Sequence, residues 1–297
     1  MRHKVVDVDG PVHYIDFGGA GKPLVMVHGL GGSALNWMAV GPEFAKHHRA
    51  VALDLAGFGE TPLYRRSAAV GANAELVSEF IERLFDERAT VIGNSMGGHI
   101  AVLLGADHPD LVDRIVLVDP AVPGVHVRRP APQMLGVMAA LSVPGLAENL
   151  LDRRLRSLTP EQLVHEVLAL VCADPSRLGS EIVEAHIQLT RERERLGAQS
   201  GRAFLQASRS LGLRMADPRF WTHAREVKAP VLVVHGERDR LIPVASAREL
   251  VRRIPRWRLE VLEGVGHVPM METPDLFMRV VGEWMADRIP ARSAAIS

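Results

Sequence analysis

The chain has 297 residues, of which 47% are hydrophobic, so it is long enough and apolar enough for one large core or two modest domains. Its 35 basic and 35 acidic residues cancel, which argues against a nucleic-acid or anionic-lipid partner held by a strong field. No window approaches the roughly 18 apolar residues of a membrane span, and the first residues show no signal-peptide pattern, so we expect a cytoplasmic protein without stable membrane insertion.

Runs of strand length alternate with helical patterns along much of the chain. The runs lie at residues 24–29, 49–55, 89–94, 114–119, 230–239 and 257–267. Continuous apolar runs are typical of parallel strands that are covered on both faces. After the second run, apolar pairs recur every four residues behind Asn73, which predicts an amphipathic helix with Asn73 as its N-cap. The alternation predicts a mostly parallel α/β sheet.

A helical insertion interrupts these strand runs. From about residue 123 to residue 220 the patterns are helical, and one helix is predicted to start at Thr159-Pro160. A final helix is predicted to start at Thr273-Pro274. We therefore expect a core domain formed by residues 1–122 and 221–297, with a helical cap of residues 123–220.

The stretch "VIGNSMGGHIAVLLGA", residues 91–106, places Ser95 between the end of a strand and the start of a helix. Gly93, Gly97 and Gly98 remove side chains that would collide where the two backbones meet at the bend. The serine is then exposed at the carboxyl edge of the sheet, where open α/β sheets bind ligands. This G-x-S-x-G pattern in a strand–turn–helix context predicts a nucleophilic serine.

A serine hydroxyl needs a neighbouring base, and candidates follow other predicted strands. His267 follows the last strand and Asp239 follows the strand before it, which gives the chain order serine, acid, histidine. Asp119 also ends a strand and is the alternative acid, although an aspartate before a proline is commonly a turn former. Backbone N–H groups of Leu30, in "VHGLGGS", and Met96, at the start of the helix, are predicted to stabilise an oxyanion.

The chain resembles the serine α/β-hydrolases that carry an inserted cap domain. The matching motifs are His28-Gly29, "DLAGFGET" at 54–61, "GNSMGG", the acid in "GERD" and the base in "GHVPMMETP". The resemblance implies an α/β-hydrolase fold with a mostly parallel central sheet, helices on both faces and an inserted helical cap. It also implies an apolar pocket between sheet and cap for a small-molecule acyl substrate, with no cofactor.

The resemblance leaves more than one function open. We expect a carboxylesterase for small to medium apolar esters, working through an acyl-enzyme on Ser95. The "GNSMGG" spelling is similar to that of the carbon–carbon bond hydrolases that act on vinylogous diketo acids from aromatic ring cleavage. That match is weakened by "GLGGS" after the HG dipeptide and by Val268 after the histidine. A ligand-sensing receptor with slow turnover is a third possibility. A serine at position 95 argues against epoxide hydrolases and haloalkane dehalogenases, whose nucleophile is a carboxylate.

Several other residues are interpreted as structural. His28, His99 and His235 are expected to hold loops and core in place, and Cys172 to be a small buried hydrophobe. No grouping of histidine, cysteine and carboxylate has metal-ligand spacing along the chain, so no metal is expected.

The helical insertion contains three more features of interest. The charged run at 191–195 is expected to be a solvated helix face, and residues 134–147 to be cap core or a lid over an acyl chain. Arg202 or Arg209 is a candidate for binding a substrate carboxylate. A homodimer through the cap helices is possible.

Overall fold

The computed structural model describes residues 1–123, 145–196 and 199–286. Residues 134–144 of the predicted cap core or lid segment lie outside these ranges.

One eight-stranded sheet runs through the protein. Its strands are β1 (Arg2–Asp7), β2 (Pro11–Gly18), β3 (Pro23–Val27), β4 (Arg49–Leu53), β5 (Ala89–Asn94), β6 (Val112–Val118), β7 (Val231–Gly236) and β8 (Arg258–Leu262). Their order across the sheet is β1-β2-β4-β3-β5-β6-β7-β8. The pairs β1/β2 and β2/β4 are antiparallel, and every other pair is parallel. The predicted mostly parallel sheet is confirmed, and each predicted run corresponds to one of the strands β3 to β8.

Helices cover both faces of the sheet. They are α1 (Gly41–Phe44), α2 (Val70–Leu84), α3 (Met96–Asp107), α4 (Leu146–Ser157), α5 (Pro160–Val171), α6 (Ser180–Leu196), α7 (Gln199–Ala216), α8 (Phe220–Glu226), α9 (Val244–Arg253), α10 (Pro269–Glu272) and α11 (Pro274–Ala286). Alternate residues of β3 point to opposite faces, so Val25 and Val27 join a core with α2, α3, α8 and α9. Leu24 and Met26 join a second core with α1, α10 and α11.

Parallel pairing brings the carboxyl ends of the central strands to one edge. Val27 of β3 pairs with Gly93, Asn94 of β5 pairs with Val118, and Val118 pairs with Val234. The loops that follow these strands therefore meet at one edge of the sheet, which is the usual ligand-binding edge of such folds.

Helix α2 differs from the prediction at its start. The helix begins at Val70, so Asn73 lies inside it and is buried rather than forming the N-cap. The Asn73 side chain accepts a hydrogen bond from Ala56 N (2.9 Å) and donates one to Ala68 O (3.1 Å). The first free amide of the helix instead donates to Ser210 Oγ of α7 (3.0 Å). A tertiary contact thus replaces the local cap.

In chain order, the helices α4 to α8 lie between β6 and β7. The predicted start of α5 is confirmed, because Thr159 Oγ1 accepts a hydrogen bond from Gln162 N at 3.2 Å and caps the helix. Helix α7 contacts the core closely: a Cβ atom on Gly57 would lie 2.3 Å from Ala203 Cβ. The division into a core and a cap of residues 123–220 stays a prediction.

Candidate active site

Ser95 occupies the sharp turn between β5 and α3. Its backbone has φ 54° and ψ −113°, a conformation that residues other than glycine rarely adopt. Neighbouring backbone holds the turn in place, because Ser95 N donates to Val118 O (2.9 Å) and Ser95 O accepts from Ala121 N (3.0 Å). The serine is partly exposed although its neighbours are buried. Such an enforced, strained position is typical of functional residues.

The glycines around Ser95 are required by close backbone contacts. A Cβ atom on Gly93 would lie 2.2 Å from Gly97 O, and one on Gly97 would lie 2.3 Å from Val27 O. No real Cβ atom comes so close to a backbone oxygen. The prediction that these glycines allow strand and helix to meet is therefore confirmed.

His267 and Asp239 form a buried hydrogen-bonded pair. His267 Nδ1 and Asp239 Oδ2 are 2.6 Å apart, and Asp239 Oδ1 accepts hydrogen bonds from Leu241 N (2.7 Å) and Ile242 N (3.0 Å). Burial acts to raise the pKa of Asp239, but the hydrogen bond with His267 and its charge outweigh burial and hold that pKa below its usual value. The contact fixes the imidazole with its Nδ1 facing the carboxylate.

Asn94 links the histidine loop to the turn that carries Ser95. Its side-chain Nδ2 donates to His267 O (3.0 Å) and to Val118 O (3.2 Å). Within the described ranges, Ser95 Oγ makes no hydrogen bond to the imidazole, so the structure brings the loops together without a direct serine–histidine bond. Asn94 is part of the "GNSMGG" motif, but the motif predicts no role for it. Its position as the last residue of a buried strand is the signal that could have found it.

Asp119, the alternative acid, does not pair with the histidine in the part of the chain that the structure describes. Its Oδ1 accepts from Gly236 N (2.8 Å), and its Oδ2 is buried without a hydrogen-bond partner. Burial, followed by the negative charge of Asp239, raises the pKa of Asp119 well above its usual value. Of the two acids, Asp239 is the one in contact with the imidazole.

The two predicted oxyanion donors belong to two segments that adjoin Ser95. Met96 is the first residue of α3, and Leu30 follows β3 in a loop that touches the turn, since a Cβ atom on Gly29 would be 3.0 Å from Ser95 Cβ. Among the described residues, neither N–H donates to another group. First-turn amides of a helix have no partner within the helix, which suits anion binding. Their role as oxyanion donors stays a prediction.

The three histidines expected to be structural are buried and hydrogen-bonded. His28 Nε2 accepts from Leu55 N (3.0 Å) while its Nδ1 donates to Gly29 O (2.7 Å). His99 and His235 each bond a backbone carbonyl. Burial lowers the pKa of His99 to about 4. These contacts confirm the structural interpretation.

Arg193 was missed by sequence analysis, which treated its charged run as a solvated face. The exposed Arg191 and Glu192 agree with that expectation, but Arg193 is partly buried and its Nη2 donates to Gly57 O at 3.2 Å. Burial lowers the pKa of Arg193, opposed by the charge of Asp54. Because successive helical residues point in different directions, one residue of a charged run can face inward. This periodicity was the available sequence signal for the partial burial of Arg193.

Arg202 and Arg209, the two candidates for binding a substrate carboxylate, differ in their exposure and contacts. Arg202 is exposed, and Arg209 Nη1 donates to Glu148 Oε1 at 2.9 Å.

Glu272 is a second residue that sequence analysis did not assign. This buried carboxylate accepts hydrogen bonds from Gly266 N (2.9 Å), Ala173 N (3.0 Å) and Asp174 N (3.0 Å). It joins the loop that carries His267 to the segment after α5. It therefore fixes the histidine loop against the insertion.

The sequence model of the alpha/beta hydrolase fold matches residues 22–274. The chain belongs to this family. A 2-hydroxy-6-oxo-6-(2'-aminophenyl)hexa-2,4-dienoic acid hydrolase of Metapseudomonas resinovorans is 27% identical to this α/β-hydrolase, over 93% of this chain and 88% of its own. A 2-hydroxymuconate semialdehyde hydrolase of Pseudomonas sp. (strain CF600) is 30% identical, over 94% and 91%.

Solved structures agree on the fold. A bacterial membrane phospholipase A superposes on this α/β-hydrolase with a TM-score of 0.73 and 29% identity, over 96% of this chain and 85% of its own. Fold and relatives together support a hydrolase. In the ranges that the structure describes, no helix combines the length and apolar character needed to cross a bilayer. Cys172 is buried, as expected, and burial raises the pKa of its thiol to about 12.

Proposed function

We propose that this α/β-hydrolase cleaves a carbon–carbon bond in vinylogous diketo acids of the kind formed by aromatic ring cleavage. The names of the two relatives support this substrate class over simple esters. The structural observation that supports the proposal is the partly buried cation of Arg193, which bonds Gly57 O in the loop after β4.

Carbon–carbon cleavage needs a substrate that accepts an electron pair. A carbon leaving group departs with both electrons, which must be delocalised into a conjugated keto acid. Such a substrate is anionic at that end. Among the described residues, Arg193 donates to Gly57 O, and a guanidinium carries five N–H groups, two of which can bond a carboxylate in parallel. The positive charge of Arg193 is felt electrostatically at His28. The next residue, Gly29, lies against Ser95, because a Cβ atom on Gly29 would be 3.0 Å from Ser95 Cβ.

The proposed reaction follows serine hydrolase chemistry. Ser95 Oγ attacks the ketone carbon while His267 takes the hydroxyl proton, and Asp239 stabilises the imidazolium. The amides of Leu30 and Met96 donate to the oxyanion. Collapse breaks the carbon–carbon bond, and the proton from His267 passes to the leaving carbon. Water deprotonated by His267 then attacks the acyl group and releases it from Ser95.

The Arg193→Met variant tests the substrate class. A hydrogen bond to a charged group contributes about 1.5–3 kcal/mol, so we expect kcat/KM for the diketo acid to fall about 10- to 150-fold. Turnover of a neutral nitrophenyl ester should change little. Arg191→Met, an exposed arginine on the same helix, is the matched control. Equal losses on both substrates, or a wild-type preference for the ester, would contradict the proposal.

Ester hydrolysis is a second candidate, favoured by the likeness to the phospholipase A. It uses the same nucleophile, and a panel of nitrophenyl esters of increasing chain length distinguishes it by comparing kcat/KM with that of the diketo acid. The Ser95→Ala variant tests what both candidates share. It should lose at least about 1000-fold in kcat on every substrate and should not be labelled by a fluorophosphonate.

A further inference from the structure

Three side chains from separate parts of the sequence converge near the edge of the sheet. His3 lies on β1, His13 on β2 and Glu60 in the loop after β4. His3 Nδ1 is 3.0 Å from His13 Nε2 and 3.1 Å from Glu60 Oε1, and His13 Nε2 is 3.4 Å from Glu60 Oε1. Two imidazole nitrogens and a carboxylate oxygen thus form a nearly equilateral triangle.

This triangle has the dimensions of one face of a tetrahedral metal site. Zinc bonds imidazole nitrogen and carboxylate oxygen at about 2.0–2.2 Å, which places the ligand atoms of a tetrahedron about 3.3–3.5 Å apart. The observed separations of 3.0 to 3.4 Å approach these values. Small rotations of His3 and Glu60, whose side chains are 47% and 45% exposed, close the difference.

A buried carboxylate prepares His13 as a ligand. His13 Nδ1 and Asp54 Oδ2 are 2.6 Å apart, and Asp54 Oδ1 accepts from Ala34 N at 2.6 Å. Because a carboxylate oxygen accepts, His13 Nδ1 donates to Asp54 Oδ2, and Nε2 is the nitrogen that faces His3 and Glu60. A carboxylate behind a histidine ligand is a recurrent feature of metal sites.

Charge and access also suit a divalent cation. Glu60 and Asp54 together supply two negative charges, and the exposed side of the triangle leaves a fourth position for water. Among the described residues, a second group of close ligand atoms, formed by Asp119, His235 and Asp239, is less suitable. There His235 Nε2 lies 2.8 Å from Ile242 O, so it carries a proton and has no lone pair to offer.

We propose that His3, His13 and Glu60 bind one divalent transition-metal ion, with Zn²⁺ as the type, and that the ion ties the exposed edge strand β1 to β2 and to the loop after β4. Borderline cations of this kind prefer imidazole with carboxylate. Sequence spacing gave no sign of the site because its ligands come from residues 3, 13 and 60. The expectation of no metal was drawn from local spacing.

Calorimetric titration of the tag-free, chelator-treated protein with ZnCl₂ tests the site. We expect one ion per chain. His3→Gln and Glu60→Gln should each weaken binding by at least about 10-fold, and His47→Gln, which replaces an exposed histidine outside the triangle, should not. Co²⁺ should give visible d–d absorption in the wild type that both ligand variants lose.

Thermal unfolding provides an independent readout. Zinc at about 100 times its Kd should raise the melting temperature of the wild type and of His47→Gln by about 4 °C, and should leave both ligand variants unchanged. His3 and Glu60 are half-exposed, so their replacement keeps the buried pair of His13 and Asp54, and metal-free melting temperatures will report this. Absence of zinc binding by the wild type would overturn the proposal, and so would zinc binding by His3→Gln and Glu60→Gln that is as tight as that of the wild type.

Discussion

Asp239→Asn replaces the carboxylate that His267 Nδ1 contacts at 2.6 Å by an amide. The amide keeps one oxygen, so the hydrogen bonds from Leu241 N and Ile242 N can persist and the loop should fold. The negative charge is lost, however, and the amide NH₂ can face the imidazole and favour the wrong tautomer. The proposed reaction requires His267 to become positively charged, so the substitution should act on kcat.

The size of the effect follows from the buried pair. Opposite unit charges about 4 Å apart attract each other by about 4 kcal/mol at an effective dielectric constant of 20. Loss of that stabilisation corresponds to roughly 1000-fold in rate, and the tautomer change adds to it, towards the roughly 10,000-fold known for this substitution in a serine protease.

The matched variant is Asp119→Asn, at the alternative acid. Asp119 bonds Gly236 N through Oδ1, which asparagine retains, so kcat should change less than about 10-fold. Single-turnover measurement of acyl-enzyme formation with a nitrophenyl ester reports the chemical step for both variants. If Asp119→Asn lost as much activity as Asp239→Asn, the assignment of Asp239 as the partner of His267 would be wrong.

Three further predictions concern stability. Gly97→Ala places a Cβ atom 2.3 Å from a backbone oxygen of β3 and should cost about 1–3 kcal/mol or more in urea unfolding, whereas Gly282→Ala, in open space on α11, should be neutral or gain up to about 1 kcal/mol; equal effects would refute the steric reasoning. Glu272→Gln replaces one of two carboxylate oxygens, which together accept from three backbone N–H groups, by an NH₂ group that cannot accept. It should cost about 1–3 kcal/mol of stability and reduce kcat, because the loop that carries His267 is held less firmly. The exposed Glu283→Gln should change neither stability nor kcat. Burial, followed by the charge of a neighbouring carboxylate, raises the pKa of Asp119. Above pH about 4 the acid therefore stays protonated in the folded state but ionises in the unfolded chain. The stability of the wild type consequently falls as the pH rises from about 4 towards the folded pKa. Asp119→Asn should therefore raise the melting temperature relative to wild type at pH 8 but not at pH 4; the same shift at both would contradict the raised pKa.

The local pattern of the sequence was sufficient for the strands β3 to β8 and for the turn at Ser95, whereas the antiparallel strands β1 and β2 were not predicted. Apolar runs of strand length and glycines around a serine act through neighbouring residues, and such short-range effects can be read from one chain. The positions of His267 and Asp239 also followed, because both lie just after predicted strands whose carboxyl ends share an edge. Thr159 caps its helix as predicted for the same reason: the capping partner is three residues away.

Contacts between distant segments needed the tertiary structure. Asn73 has the residue type of a helix cap, but Ser210 of α7 supplies that contact and frees Asn73 to bond Ala56 and Ala68. Burial of Arg193 within a charged run depends on which side of α6 faces the core.

Long-range contacts also determined which polar groups share an environment. The choice between Asp239 and Asp119 rested on a single hydrogen bond to an imidazole, and the triangle of His3, His13 and Glu60 is assembled by sheet pairing and one loop. Residue type and periodicity set what a segment can form by itself, whereas the partner of each buried polar group is fixed only when the chain brings remote segments together, because such a group must find its hydrogen bond wherever the fold provides one.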